Sequence, residues 1–439
     1  MKKRIIATIL TMLMLTASLA ACSGNKNNTD SNGKSESAQT VTLNQNAAAS
    51  DADGDIDTTA ATSDNKSDGD AAYTGGYSGG KIDTADLFSN RDMKQEADTA
   101  DAKTLTLTAG KNTTITEEGV YVISGSAENT SIIVEAAEDA KVQLVLDNVS
   151  ITNSASPAIY VKSADKVFVT TTDGSTNTLT VSGTFTADGD TNTDAVIYSK
   201  DDLVLNGKGT LSITSSDNGI SGKDDIKITG GTINITSASD AIEANDSIVM
   251  SDGNITINSE KDGLHAENDE DDSVGYIYIG GGSININASS DAIQATTILQ
   301  IDNGTVTINS SEGLEATCVQ INGGTINVTA SDDGINASNK SSAYTVTAEF
   351  NGGEINVDMG QGDTDAIDSN GNLYVNGGTI NITGQSAFDF DGQCEYNGGT
   401  IYVNGELTTE ITNQMMGGGR GGMGGPGGGD MGGAPGGMR

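Results

Sequence analysis

The chain has 439 residues, with 61 Asp and Glu against 22 Lys and Arg, and its formal net charge is −39. Phosphate binding depends on Lys and Arg, and no Arg occurs between residues 92 and 419, so we expect no nucleic-acid partner. Trp is absent and aromatic residues make up 4% of the chain, so any binding surface would rest mainly on polar side chains.

The N-terminus has the pattern of a secretory signal. Residues 2–4 are basic, and the apolar stretch at residues 5–15 is too short to span a bilayer. Residues 19–22 then read Leu-Ala-Ala-Cys, which resembles the lipobox of bacterial lipoproteins. That resemblance implies removal of residues 1–21 and lipidation of Cys22; the alternative is an ordinary signal peptide with an incidental Cys. We expect the mature protein to be tethered to the extracellular face of the cell membrane.

The two flanks of the central region lack the pattern of a folded domain. Residues 22–98 are rich in Ser, Asn, Asp, Ala and Gly without an apolar period, which predicts a disordered linker. Residues 413–439 are rich in Gly and Met and also predict disorder, because they offer too little apolar surface to form a core. The predicted folded domain is therefore residues 99–412.

The central region repeats one pattern. Between residues 199 and 405, an acidic residue, a small residue and an Ile or Leu precede a Gly-Gly-Thr-Ile-Asn-Ile segment, at steps of 20 to 29 residues. Apolar and polar residues alternate strictly in residues 231–236, which is the period of a β-strand. Units of this length are too short for four-stranded propeller blades. The pattern predicts an all-β solenoid, a single-stranded parallel β-helix.

Stacking of the coils would align equivalent residues into files about 4.8 Å apart. One file holds the residue before each small residue: Asn218, Asp240, Asp262, Asp291, Glu312, Asp333 and Asp365. A second file follows three residues later, and we expect it to bind substrate: Glu243, His265, Gln294, Glu315, Asn336 and Asp368, after Ser221. For His265 the alternative is simply an exposed polar residue.

Stacked carboxylates repel one another unless they are protonated, hydrogen-bonded or bridged by a cation, and Ca²⁺ takes six to eight oxygen ligands. Asp188, Asp190 and Asp194 lie at alternate positions of one loop and are a further metal candidate, although the loop lacks the rest of an EF-hand motif. The alternative for any single Asp before Gly is a hydrogen bond within its own turn.

Two segments carry a family resemblance. SKDDLVLNGKGTLSITSSDNGISGKDDIKITGGTINITSASDAIEANDSIVMSDGNITINSEKDGLHAEN, residues 199–268, and residues 115–161 resemble the bacterial surface family of carbohydrate-binding β-helix proteins, which are similar in fold to calcium-dependent pectate lyases. The resemblance implies a right-handed parallel β-helix that binds cellulose or an acidic plant polysaccharide without established turnover. It also implies calcium at Asp-rich positions. The matching positions are Asp201, Asp202, Asp224, Asp225, Asp240 and Asp262.

Three alternatives to binding remain open. A calcium-dependent lyase needs a base, for which the stacked Lys200 and Lys223 are the candidates, but no Arg is available between residues 92 and 419 to neutralise a uronate. A hydrolase would use a pair of acids, and no pair stands out among so many. A structural adhesin would bind another protein. We expect a monomer that binds polysaccharide.

Overall fold

The computed structural model describes residues 40–42, 80–268, 270–360 and 364–414. These residues belong to one compact unit, Ala38–Arg439. The signal segment, Cys22 and the Gly- and Met-rich tail beyond residue 414 lie outside the described residues. No described segment forms a helix of the length and apolarity needed to cross a membrane.

The described residues form 36 strands. The first twelve are β1 Thr40–Thr42, β2 Lys103–Thr106, β3 Thr113–Ile115, β4 Gly119–Glu128, β5 Ile132–Glu135, β6 Lys141–Asn153, β7 Ile159–Ser163, β8 Lys166–Thr171, β9 Thr176–Val181, β10 Ala195–Ser199, β11 Asp202–Gly207 and β12 Thr210–Ser215. The next twelve are β13 Asn218–Gly222, β14 Asp225–Ile228, β15 Thr232–Ser237, β16 Ile242–Ala244, β17 Ser247–Met250, β18 Asn254–Ser259, β19 Leu264–Ala266, β20 Tyr276–Ile279, β21 Ser283–Ala288, β22 Asp291–Ile301, β23 Thr305–Ser310 and β24 Glu312–Ile321. The last twelve are β25 Thr325–Ala330, β26 Ile335–Ala337, β27 Thr347–Phe350, β28 Glu354–Met359, β29 Asp365–Ser369, β30 Asn372–Val375, β31 Thr379–Thr383, β32 Ser386–Phe390, β33 Cys394–Tyr396, β34 Thr400–Val403, β35 Glu406–Thr408 and β36 Glu410–Thr412.

Apart from β1, β35 and β36, the described strands pair in parallel with the equivalent strands of neighbouring coils, which confirms the predicted parallel β-helix. The pairings define three faces. Face 1 contains β3, β5, β7, β10, β13, β16, β19, the first half of β22 and of β24, β26, β29 and β32. Face 2 contains β2, the first half of β4 and of β6, β8, β11, β14, β17, β20, the second half of β22 and of β24, β27, β30 and β33. Face 3 contains the second half of β4 and of β6, β9, β12, β15, β18, β21, β23, β25, β28, β31 and β34.

The core lies inside the coils, where identical positions of the repeat stack on one another. On face 3, Ile233 pairs with Ile255 and Ile255 with Ile284, and all three are at most 3% exposed. Burial of apolar surface contributes about 25 cal/mol per Å², and a stacked Ile buries nearly all of its side chain. The strict alternation of the repeat therefore stabilises every coil in the same way.

The Gly-Gly pair of the repeat meets a steric requirement at the corner before face 3. Gly324 has φ of +85°, and a Cβ there would lie 2.7 Å from the carbonyl oxygen of Gly304. Only Gly adopts this conformation without strain and permits so close an approach of two backbones. The pair therefore lets one coil turn directly above the preceding one.

Residues 80–98 pack against face 2, so the prediction that the disordered linker extends to residue 98 is wrong for this segment. Ile82, Leu87 and Phe88 are at most 9% exposed and form one cluster with Val249 and Tyr278 of face 2. These apolar residues are too few to show a period in sequence, but they cover a partly apolar outer surface. Within the same predicted linker, β1 pairs antiparallel with β36.

Face 3 presents an uncharged outer surface over seven consecutive coils. Its outward positions hold only Thr, Ser and Asn: Thr176, Thr178, Thr180, Thr210, Ser212, Thr214, Thr232, Asn234, Thr236, Asn254, Thr256, Asn258, Ser283, Asn285, Asn287, Thr305, Thr307, Asn309, Thr325, Asn327 and Thr329. The acids of the repeat therefore lie elsewhere on the rod.

Candidate functional site

Face 1 carries both predicted files in register. We call the residues at the start of its strands, or two positions before it, the turn file: Asn218, Asp240, Asp262, Asp291, Glu312, Asp333 and Asp365. We call the outward residues of the strands the strand file, and each pairs with the next: Ser221, Glu243, His265, Gln294, Glu315, Asn336, Asp368 and Asp389. The predicted alignment of Glu243 to Asp368 is confirmed, and Asp389 extends it by one coil.

The turn file is a hydrogen-bonded ladder between coils. Asn218 Oδ1 accepts from the backbone N–H of Asp240, at 3.0 Å. Asp240 Oδ1 accepts from the N–H of Asp262, and Asp262 Oδ1 from the N–H of Asp291, each at 3.0 Å. These side chains bond to the next coil, whereas the alternative considered from sequence was a bond within their own turn. One oxygen of Asp240 and one oxygen of Asp262 therefore stabilise the stacking of the coils.

The second oxygens of Asp240 and Asp262 point to His265. His265 Nδ1 lies 3.6 Å from Asp240 Oδ2 and 3.7 Å from Asp262 Oδ2, while Nε2 lies 3.2 Å from Glu267 Oε2. Burial alone would lower the pKa of His265, but Asp240, Asp262 and Glu267 outweigh it and raise that pKa. Burial would raise the pKa of Asp240, but His265, the N–H of Asp262 and Lys261 together lower it.

Two coils further on, Asp291, Glu312 and Glu315 form a group whose carboxylate oxygens lie within 4.8 Å of one another. Burial, followed by the charge of Glu312, raises the pKa of Asp291 to about 8. Lys340 Nζ lies 2.7 Å from Glu315 Oε2. In the amide orientation that satisfies both neighbours, Gln294 donates to Asp291 Oδ2 at 2.9 Å and accepts from Lys340 at 3.0 Å. The strand and turn files therefore contact each other here.

The C-terminal coils of face 1 are also crowded with carboxylates. Burial raises the pKa of Asp368 to about 7, with further contributions from Asp333 and Asp389. Burial likewise raises the pKa of Asp333 to about 6. Asn336 Nδ2 contacts Glu312 Oε2 at 3.4 Å, which ties this end to the preceding group. The outer surface of face 1 that carries the turn and strand files, which we call the groove, is therefore acidic along several consecutive coils.

A separate acidic group lies at the corner between faces 1 and 2. Asp202, Asp224 and Asp225 bring carboxylate oxygens within 4.8 Å of one another. Burial, then the neighbouring carboxylates, raises the pKa of Asp202 to about 6 and of Asp224 to about 7. Ser247 donates to Asp225 Oδ1 at 2.6 Å, and Lys166 lies 3.6 Å from Asp202. Lys227 lies 3.9 Å from Asp225, so the corner has three carboxylates and two nearby lysines, which only partly offset the negative charge.

The remaining predicted metal residues have other contacts. Asp201 Oδ2 accepts from the N–H of Ala164 at 3.0 Å. Asp188 pairs with Lys162 at 2.6 Å, and Asp194 Oδ2 accepts from Asn192 at 2.6 Å. The structure therefore brings together Asp202, Asp224 and Asp225, and separately Asp240 and Asp262. Asp201, Asp188 and Asp194 instead contact Ala164, Lys162 and Asn192, respectively.

A cleft of about 460 Å³ lies at the N-terminal end of the groove, lined by Asp190, Thr191, Asn192, Asp194, Tyr198, Lys200 and Lys223. Tyr198 occupies the strand-file position one coil before Ser221, and Tyr160 precedes it in the same file. Their rings pack edge to face with centroids 5.7 Å apart. Sequence reasoning did not select these tyrosines, although extending the file back by two coils would have found them.

Comparisons with known proteins found a matching family model and a relative. A family model described as carbohydrate-binding domain-containing protein matches residues 109–364 and 315–404. A protein of that description from Acetivibrio thermocellus is 36% identical over 163 residues, which are 36% of this chain and 55% of the relative, so the chain spans about half the relative's length.

Among solved structures, a polysaccharide lyase-like protein from C. thermocellum, studied as a gadolinium derivative, is 35% identical with a TM-score of 0.45. The match covers 49% of this chain and 87% of that one. Because the family model matches well over half of the chain, the protein belongs to the family of carbohydrate-binding domain-containing proteins.

Proposed function

We propose that the groove of face 1 binds a polysaccharide, either cellulose or an acidic pectin-like glycan, without turning it over. The observation that carries this proposal is the strand file, which aligns hydrogen-bonding side chains over consecutive coils. A repeating ligand with hydroxyl groups along its length can pair with such a file repeatedly. Membership of the carbohydrate-binding family supports the same ligand class.

The groove suits polar recognition of a chain-like ligand. Glu243, Gln294 and Glu315 supply acceptors and an amide at three of four consecutive positions of one file, with His265 at the remaining one. At its N-terminal end the cleft adds the side chain of Asn192 and two lysines, Lys200 and Lys223, while the Tyr198 ring that lines it is 3% exposed. Polar groups that converge in a cleft are common partners for the hydroxyls of a sugar.

We further propose that calcium assists this binding, held by Asp202, Asp224 and Asp225. The three side chains offer only oxygen donors, close together, which suits a hard divalent cation. Burial and mutual repulsion raise the pKa of Asp224 to about 7, and a bound cation would relieve that repulsion. When bound, calcium would supply positive charge between the acidic protein and the carboxylates of an acidic glycan.

Binding without turnover is favoured over a lyase because Lys223 and Lys340 both lie close to carboxylates. A lyase needs a basic side chain free to take a proton from the sugar. Lys223 lies 3.6 Å from Glu243, and Lys340 lies 2.7 Å from Glu315, so both face carboxylates of the groove. Formation of unsaturated uronate from polygalacturonate in the presence of calcium, followed by ultraviolet absorbance, would contradict this ranking.

The location of the protein is a separate proposal. We propose that Cys22 carries a lipid that tethers a monomeric rod to the extracellular face of the cell membrane. Expression of Cys22→Ala should release the protein from the membrane fraction, whereas wild type should stay with it. Retention of the variant in the membrane fraction would contradict lipid anchoring through this residue.

The decisive experiment for the main proposal is a glycan array probed with the purified protein, with calcium and with excess chelator. We expect binding to cellulose-type or pectin-type glycans, and loss of binding to the acidic glycans on chelation. Undiminished binding of the acidic glycans in chelator would contradict calcium bridging. Absence of binding to every polysaccharide in calcium would contradict the main proposal and favour a protein-binding adhesin.

A further inference from the structure

We propose that His265, Asp240 and Asp262 form a binding site for a divalent transition-metal ion of the zinc class, distinct from the calcium corner. Asp240 comes from one coil of face 1, and Asp262 and His265 come from the next. Together they bring one imidazole nitrogen and two carboxylate oxygens within 4.8 Å of one another. This inference concerns a metal ion and does not depend on which polysaccharide the groove binds.

The distances are those of ligands arranged around an ion. His265 Nδ1 lies 3.6 Å from Asp240 Oδ2 and 3.7 Å from Asp262 Oδ2. Both separations exceed the usual range of an N–H···O hydrogen bond, about 2.7–3.2 Å. Zn²⁺ binds nitrogen and carboxylate oxygen at about 2.0–2.2 Å, so two ligands at a tetrahedral angle lie about 3.4 Å apart. A shift of a few tenths of an ångström would bring the imidazole nitrogen to that separation from both carboxylate oxygens.

The imidazole itself is the second observation. Both ring nitrogens of His265 are buried and neither makes a well-aligned hydrogen bond, although Glu267 Oε2 lies 3.2 Å from Nε2, and the side chain is 15% exposed. Nearly all buried polar groups in proteins are hydrogen-bonded, because an unsatisfied one costs about 1–3 kcal/mol. A metal ion on Nδ1 would satisfy one nitrogen. Glu267, whose Oε2 lies 3.2 Å from Nε2, is placed to orient the other.

The two carboxylates are held ready by the turn file. Asp240 Oδ1 and Asp262 Oδ1 each accept a backbone N–H of the next coil, at 3.0 Å. That bond leaves Oδ2 of each residue directed at the imidazole, in side chains that are 5% and 9% exposed. Hydrogen bonds of this kind orient metal ligands in known sites and contribute to affinity. The ladder that stabilises the coils therefore also sets the geometry of the site.

The donor set selects the class of metal. Calcium takes oxygen ligands, whereas an imidazole nitrogen with carboxylates suits Zn²⁺ and its first-row neighbours. The competing occupant is a proton, because an imidazolium between two carboxylates would also balance the local charge. Metal binding would displace that proton, which makes the two states distinguishable in solution.

The test uses the fact that His265 is the only histidine of the chain. The purified protein, without a histidine tag and in excess calcium to saturate oxygen-only sites, is titrated with Zn²⁺ in a calorimeter. In parallel, proton NMR follows the imidazole signals, all of which belong to His265. We expect one equivalent of Zn²⁺ to bind, the signals to shift, and their pH titration to disappear.

The comparison variant is His265→Gln, since Gln294 already occupies the same file position one coil later. We expect this variant to lose at least tenfold in Zn²⁺ affinity while retaining its thermal stability in calcium. The control, Asp202→Asn with Asp225→Asn, should bind Zn²⁺ like wild type. A smaller loss in His265→Gln, or imidazole signals that titrate unchanged in Zn²⁺, would overturn the site.

Discussion

Faces 1 and 3 are built from the same alternating repeat and yet have opposite outer surfaces. Both turn Ile, Leu and Val inward, and equivalent residues stack in register on both. Outside, face 1 carries the acidic turn and strand files, whereas face 3 carries Thr, Ser and Asn alone over seven coils. The inward half of the repeat therefore builds the fold, and the outward half is free to specialise.

The side-chain ladders of the two faces also differ. On face 3, Asn309 donates to Asn287 at 2.7 Å, an exposed bond between side chains. On face 1, buried carboxylates bond the backbone of the next coil, as Asp262 does with the N–H of Asp291. A turn-file residue such as Asp262 therefore contributes both to the fold and to the outer surface of face 1. Its replacement should lower the free energy of unfolding more than replacement of a residue on face 3.

The largest effect should appear in polysaccharide binding. Replacing Glu243, Gln294 and Glu315 by Ala removes three of the proposed partners of the ligand, and we expect affinity to fall by about 100-fold, or roughly 2.7 kcal/mol. The matched face 3 variant replaces Thr256, Asn285 and Thr307, which are also in register, and should lose less than about threefold. Affinity electrophoresis or calorimetry measures both. An equal loss in the two variants would place the ligand elsewhere.

Calcium bound by Asp202, Asp224 and Asp225 should stabilise the folded protein. At a free concentration of 100 times its dissociation constant, an ion that binds only the folded state contributes about 2.7 kcal/mol. We expect a corresponding rise in the thermal unfolding temperature of wild type, and none in Asp202→Asn with Asp225→Asn. The face 3 variant is the control and should respond like wild type. An unchanged response of the double Asn variant would remove calcium from this corner.

The turn file should show its structural role in a single substitution. Asp262→Ala leaves the buried N–H of Asp291 unsatisfied, which should lower the free energy of unfolding by about 1–3 kcal/mol. Asp262→Asn keeps an acceptor there, as Asn218 does in the same file, and should recover most of that loss. Exposed Thr256→Ala on face 3 should stay within about 0.5 kcal/mol. Hydrogen exchange of the Asp291 amide provides a local readout.

The last effect concerns pH. The pKa of Asp291 rises to about 8 in the folded protein, against an ordinary value of about 3.9 in the unfolded chain. Between these values the folded state binds more protons, so stability from this residue falls as pH rises from about 4 to 8. We expect the unfolding temperature of Asp291→Asn, relative to wild type, to increase from pH 5 to pH 8. The face 3 variant should show no such trend, and a difference that shrinks with pH would contradict the assignment.

Much of this molecule could be predicted from its repeat, and the exceptions have a common cause. The register of Glu243, His265 and Gln294 follows from counting residues between coils, because parallel strands stack equivalent positions. The packing of Leu87 and Phe88 on face 2 could not be predicted, since neither belongs to the repeat and their partners are more than 100 residues away in the chain. The same holds for the strand pair of β1 and β36.

The sequence by itself determined the coil, its parallel stacking and the files of aligned residues, because a period of two and a recurring Gly-Gly turn are local properties. Only the tertiary structure decided which carboxylates share a site. Asp262 contributes one oxygen to the backbone of the next coil and directs the other at His265, and Asp202 meets Asp224 and Asp225 at a corner. These contacts depend on the directions of the side chains and on packing between coils, which spacing along the chain does not specify.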